Sequence, residues 1–271
     1  MASSTTMNIS TLICAIIVAL LIKTNEISAA SQTYDSTCSC LSLNGSVCMH
    51  YSCKTTVSIS CFASVSRVEL PDGSSKSVSH LQIGDRVRVN KNHTYEPVIA
   101  FIHAKQHGLF DFLQITTRSL LSNSTSVLLV SPDHLVFDFD SNIARFAGKF
   151  LVGDRLQFIE NEQTVPGEII SIKLIKAQGY YAPLTPSGTI VVDGVVSSNY
   201  ATVSNHALAH FFMGAYRWWV NVVGSPSPSE KVHWLVDVMQ YIEGMIRWCG
   251  AEIWSGYEVY DGVFQVSSIV M

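Results

Sequence analysis

Two decapeptides decide the fold: HLQIGDRVRV, residues 80–89, and KFLVGDRLQF, residues 149–158. Each has bulky apolar residues, then Gly-Asp-Arg, then an alternating strand pattern. Gly-Asp supplies a tight turn, and the arginine is placed to pair across it. Two copies of one turn-and-strand unit in a single chain predict a duplicated fold with pseudo-twofold symmetry. Around them, short β-rich runs alternate with turn signals from Val65 to about Ala201. Examples are SRVEL before PDG, SVLLVS before PD, HLVFDFD before SN, and GTIVV-DG-VVSS. Turns recur regularly and helical periods are few, so the sequence predicts an all-β domain.

The chain has 271 residues, 48% of them hydrophobic, and a formal net charge of −4 with pI near 6.1. That is ample for a core and gives no basis for a nucleic-acid partner. TLICAIIVALLI, residues 11–22, is an apolar run of signal-peptide length, too short to span a bilayer comfortably. Ser28-Ala29-Ala30 has the form of a cleavage site, so residues 1–30 read as a signal peptide. An uncleaved anchor helix is the rival. Either sends the rest of the chain into the secretory pathway, an oxidising setting, and the expected location is extracellular.

Of seven cysteines, Cys14 falls in the signal peptide. Cys38, Cys40, Cys48 and Cys53 crowd into a segment, residues 31–60, too small to fold on a core of its own. It reads as a disulfide knot whose three pairings the sequence leaves open. The gaps match no familiar zinc spacing, and no metal or cofactor is expected. Sequons at Asn44, Asn92 and Asn123 sit in or beside turns, as glycosylation acceptors should. Cys61 and Cys249 remain, either bonded to each other or free. Cys61 stands in SISCFASVSRVELPDG, residues 58–73, just before a strand-and-turn pattern. A disulfide half would stand there, and so would a nucleophile. SPDH, residues 131–134, reads locally as a turn.

Together, SCFASVSRVELPDGSSKSVSHLQIGDRVRV (60–89), SPDHLVF (131–137) and GYYAPLTPSGTIVVDGVVSSNYA (179–201) resemble the C-terminal autoprocessing domain of hedgehog proteins. That domain is a Hint module, shared with inteins. The resemblance covers about residues 61–212 in family order and spacing. Residues 31–60 do not resemble the hedgehog signalling domain, which is far larger. The resemblance implies an all-β, pseudo-twofold Hint horseshoe over 61–205, with residues 206–271 as an apolar, partly helical tail.

It also implies a chemistry. Cys61 attacks the carbonyl of Ser60, shifting the acyl group from nitrogen to sulfur. His134 serves the departing amide nitrogen. Ser131 stands where the family has threonine and keeps a hydroxyl for that amide. His103 falls where hedgehog proteins place the aspartate that activates a sterol hydroxyl. An imidazole can act as base there for a sterol, another lipid alcohol or water. Asn199 replaces the hedgehog cysteine. Ser198 replaces the histidine that aids intein asparagine cyclisation, and Tyr200 is a poor acyl acceptor, so cleavage or transfer is expected and splicing is not. His206 and His210, at i and i+4, are read as structural.

In the tail, Ser227, Pro228 and Glu230 form a capping-box start. Val232, Leu235, Met239, Ile242, Ile246 and Cys249 then make one apolar helical stripe. This face either meets a lipid or membrane surface or packs on the β-domain. The rival to self-cleavage is a degenerate Hint module that acts as a secreted binding protein without catalysis.

Overall fold

In the computed structural model, the two Gly-Asp-Arg units close the same turn with the same bonds. The structure describes residues 36–55, 61–90, 94–199, 214 and 260–270. Gly84 and Gly153 take φ values of 96° and 97°, the left-handed region that favours glycine. The amide of Gln82 donates to the Asp85 carboxylate at 2.7 Å, and that of Leu151 to Asp154 at 3.0 Å. Gly84 donates to the Val98 carbonyl and Gly153 to that of Ile169, both at 2.8 Å. The arginines do not pair across their own turns. The cation on each aspartate comes from the preceding strand instead, Lys76 on Asp85 at 2.6 Å and Arg145 on Asp154 at 3.6 Å.

The described residues form seventeen strands. An N-terminal hairpin contains β1 (Ser36–Asn44) and β2 (Val47–Thr55). The first repeat copy runs through β3 (Phe62–Ala63), β4 (Arg67–Glu69), β5 (Ser75–Ser77), β6 (Arg86–Arg88), β7 (Tyr95–Pro97) and the long β8 (Ala100–Ser119). The second runs through β9 (Thr125–Val130), β10 (Leu135–Phe137), β11 (Ala144–Phe146), β12 (Arg155–Glu160) and the long β13 (Gln163–Leu184). Then come β14 (Thr189–Val192), β15 (Val195–Ser198), β16 (Val263–Val266) and β17 (Ser268–Val270). A single 3-10 turn follows β5 and another follows β11. This duplicated all-β architecture is the one the sequence predicts.

The two long strands are the frame. β8 and β13 pair antiparallel from Ser119↔Gly167 to Ala100↔Leu184, and β3 and β9 continue the same ten-stranded sheet. Val130, Leu113, Ile115, Leu128 and Ile169 are sealed between its layers. Each such side chain contributes about 1.5–3 kcal/mol by leaving water.

The hairpin register puts Cys38 directly opposite Cys53, and these two are bonded; Cys40 bonds Cys48. That settles the pairing the sequence left open. Asn44 and Asn123 are exposed, with Asn123 in the left-handed region; Asn92 lies outside the described residues.

The expected helical tail needs correction at its end. Residues 263–270 are strands, β16 added antiparallel to β2 and β17 parallel to β13. Their pattern explains it: Phe264 and Val266 are buried while Gln265 between them is exposed, the alternation of a strand. The signal peptide, the 227–249 helix, Cys249, His206 and His210 lie outside the described residues.

Candidate active site

The two copies meet at Cys61 and Ser131. The Cys61 amide donates to the Ser131 hydroxyl at 3.0 Å, and the Ser131 amide donates back to the Cys61 carbonyl at 3.0 Å. The pairing arises because Phe62 on β3 sits opposite Val130 on β9, which sets the two following or preceding residues face to face. Cys61 is fully buried and, among the described residues, is the cysteine outside a disulfide. Burial, and then the carboxylate of Asp133, push its thiol well above the ordinary value. The resting group is therefore a thiol.

His134 is equally buried. Its amide donates to the Ser131 carbonyl at 3.1 Å, closing the turn that SPDH predicts. Its ring lies on Phe62 with centroids 4.3 Å apart. Its Nε2 is 2.8 Å from the Ser198 carbonyl. A carbonyl only accepts, so Nε2 carries the proton, and in the neutral ring Nδ1 holds the lone pair. The SPDH backbone is gripped from the second 3-10 turn. Ala147 donates to the His134 carbonyl and Gly148 to that of Pro132, each at 2.7 Å. Gly148 must be glycine: a Cβ there would lie 2.6 Å from the Tyr260 hydroxyl and 3.1 Å from the Pro132 carbonyl oxygen.

His103 stands across the sheet. It pairs with Ala182 on β13, while the next β13 residue back, Tyr181, pairs with Phe62. Extending that register by one residue puts Cys61 opposite the other side of Ala182. Cys61 and His103 thus flank one alanine on one sheet face, two strand spacings or about 10 Å apart at the backbone. Tyr180 lies between their surroundings. Its ring meets His103 edge-on at 6.4 Å, and its phenol is raised by burial and then by Cys61. Ser131 is therefore brought onto Cys61, His134 onto the neighbouring Phe62 ring, and His103 to the Cys61 side of the sheet. Ser60 lies outside the described residues. Asn199 is buried with its amide group donating to the Thr185 hydroxyl at 2.9 Å, a structural use.

Sequence reasoning missed Asp133, Tyr180 and the Ser198 carbonyl. Asp133 looks like an exposed turn residue, yet it is 1% exposed and faces both Cys61 and Tyr260 electrostatically. Tyr260 comes from the far C-terminal segment, which no local signal connects to SPDH. No cluster of three or more histidine, cysteine, aspartate or glutamate side chains able to hold a metal occurs among the described residues.

A family model for the Hint module matches residues 50–247. The chain belongs to the Hint module family. Among curated proteins, this Hint chain is 32% identical over 167 residues to protein hedgehog of Drosophila virilis, covering 58% of this chain and 33% of that one. It is 26% identical over 213 residues to protein hedgehog of Drosophila melanogaster, covering 69% and 44%. The chain thus spans less than half the length of these curated relatives. Among solved structures it is similar to the gp41-1 intein, at 17% identity and TM-score 0.41 over 52% of this chain and 99% of the intein. A bacterial intein-like domain from Clostridium thermocellum is similar at 18% and 0.42, with the same coverage.

Proposed function

We propose that this Hint protein cuts its own chain at the Ser60–Cys61 bond through a thioester. The observation that carries the reading is the hydrogen bond from the Cys61 amide to the Ser131 hydroxyl, in a buried site that also holds His134. That amide nitrogen is the leaving group, so Ser131 holds the scissile bond in place. The Cys61 sulfur attacks the Ser60 carbonyl carbon. The thiol proton passes to His134 Nδ1 and from there to the Cys61 nitrogen as the carbon–nitrogen bond breaks. Nε2, held by Ser198, keeps the ring oriented throughout. The product is a thioester between Ser60 and Cys61 and a free amine on Cys61.

The hydroxyl oxygen of a second acceptor then attacks the thioester carbonyl carbon while His103 takes its proton; the carbon–sulfur bond breaks, and the Cys61 sulfur leaves and takes that proton back as the thiol. The acceptor is water, or a sterol or other lipid alcohol, and the apolar tail is the segment that would present a lipid. The two hairpin disulfides support processing in the secretory pathway. As a protease of its own chain, the module turns over once.

Intact mass of the secreted products tests this. Wild type should give two fragments, with Ser60 ending in a carboxylate if water is the acceptor or in an ester if a lipid alcohol is. Cys61→Ala should remain whole. His103→Ala should slow native resolution about 100-fold or more while cleavage by added thiol stays within a few-fold. An uncut wild-type chain under reducing, near-neutral conditions would sink the proposal. Equal loss of native and thiol-driven cleavage in His103→Ala would remove His103 from the second step.

A further inference from the structure

The hairpin that precedes the cut is bound to the last residues of the chain. β16 lies along β2 with Val263 opposite Lys54, Phe264 opposite Cys53, Gln265 opposite Ser52 and Val266 opposite Tyr51. The Thr55 amide adds a bond to the Gly262 carbonyl at 3.0 Å. Cys53, Phe264 and Val266 are at most 2% exposed and share the main core with Phe150 and Ile172. The strap is itself fixed to the domain on both sides of β16. Lys149 pairs with Asp261 at 2.8 Å, and the Ser267 amide donates to the Ile172 carbonyl at 2.7 Å, where β17 joins β13.

We infer that the C-terminal strap, residues 260–270, retains the N-terminal hairpin after the cut, so that processing yields a two-chain complex. This rests on the proposed cut for its setting. The hairpin lies wholly before Ser60 and the strap wholly after Cys61, so breaking that one peptide bond removes none of these contacts. The hairpin also keeps its shape when severed, because both disulfides lie within it. A preformed strand pair loses little conformational freedom by staying bound. Main-chain pairing plus a buried aromatic is the usual basis of β-strand addition between separate chains. Release of the N-terminal fragment then requires displacement or removal of the strap.

The test uses the full chain with Cys61→Ala, which removes self-cutting, and a specific endoprotease sequence placed over residues 56–60. After external cutting, the two fragments should co-elute on size exclusion without reductant and separate only in denaturant. In the same chain carrying Phe264→Asp and Val266→Asp, the hairpin fragment should dissociate about 100-fold faster or more. A chain ending at Asp261 should release it outright, and circular dichroism of the uncut chains checks that each remains folded. Free elution of the hairpin from the parent chain overturns the inference. Retention in both strap variants overturns it as well. A wild-type chain that never cuts itself under reducing, near-neutral conditions, beside a Cys61→Ala chain that holds the fragment after external cutting, defeats the cleavage reading and upholds this one.

Discussion

The first and second copies of the repeat have the same backbone and different contents. Where the first has Ala63, Ser64, Val65 and Ser66 from the last residue of its opening strand, the second has Ser131, Pro132, Asp133 and His134 just past its own. The bonds correspond: Ser66 donates to Ala63 at 3.0 Å as His134 does to Ser131 at 3.1 Å, and Val78 donates to Ser66 at 2.8 Å as Ala147 does to His134 at 2.7 Å. In the first copy Val65 points to solvent, 61% exposed, whereas its counterpart Asp133 is sealed beside Cys61. The opening loop of the first copy supplies only the thiol to the proposed first step; His103 comes from the same copy but from its long strand β8. The second supplies the hydroxyl, the imidazole and the buried carboxylate. A duplicated scaffold thus allows one loop to be given over to chemistry while its twin keeps the plain form of the same turn.

The largest effect should separate the twins outright. His134→Ala should slow thiol-induced cleavage about 100-fold or more, since it loses the proton carrier. Its structural counterpart, Ser66→Ala, should stay within about threefold, because its hydroxyl meets the Leu129 carbonyl at 3.4 Å and the Asp193 carboxyl, neither of which takes part in the proposed step. Comparable losses from both, measured on reduced chain with added thiol, would mean that the turn matters and the imidazole does not.

The next concerns the join between the first copy and the β14–β15 turn. Burial pushes the Asp193 carboxyl up to about 6, while its oxygen accepts the Arg67 amide at 3.0 Å. A raised acid favours the folded state below its unfolded pKa, and that contribution is lost as pH rises through about 6. Asp193→Asn keeps the acceptor and tolerates the φ of 49°. It should stabilise the fold by on the order of 2 kcal/mol at pH 7.5 and have almost no effect at pH 4, read from denaturant midpoints.

Smaller still is a test of the twin turns. Gly84→Ala and Gly153→Ala meet no neighbouring atom, so each should cost only backbone strain, about 1 kcal/mol. Midpoints that differ widely would show that the copies are not equivalent. Last, Asp133→Asn should lower the Cys61 thiol pKa without returning it to the ordinary value, because burial is the larger cause. Thiolate ultraviolet absorbance followed across pH in a His134→Ala chain reads it. An unchanged titration would take Asp133 out of the thiol's surroundings.

The repeat was legible because its signal is local: a glycine in the left-handed region, an aspartate that bonds back to its own turn, an alternating strand. The ends of the two long strands were not. FLQITT and GEIISIKLI read as short runs, yet β8 and β13 extend through polar stretches such as His103–Leu109, which pair with each other instead of with a core. The carriers of the proposed first step, Cys61, Ser131 and His134, came from resemblance. Residue pattern by itself leaves Cys61 open between a disulfide half and a nucleophile, and SPDH as a turn. Tyr260 and the strap escaped because their partners are far away in sequence, 95 positions for Ser267 and Ile172 and 112 for Lys149 and Asp261.

The thiol and the hydroxyl that touches its amide are 70 residues apart. A nascent chain lengthening at ~5–20 residues per second exposes Cys61 roughly 4–14 s before Ser131 is made. During that interval Cys61 is a fifth thiol on the chain beside the four hairpin cysteines, which end in two disulfides. Folding of the second copy therefore does more than complete a site: it pairs the Cys61 backbone with Ser131 and, on the proposed reading, keeps a fifth sulfur apart from the four of the hairpin.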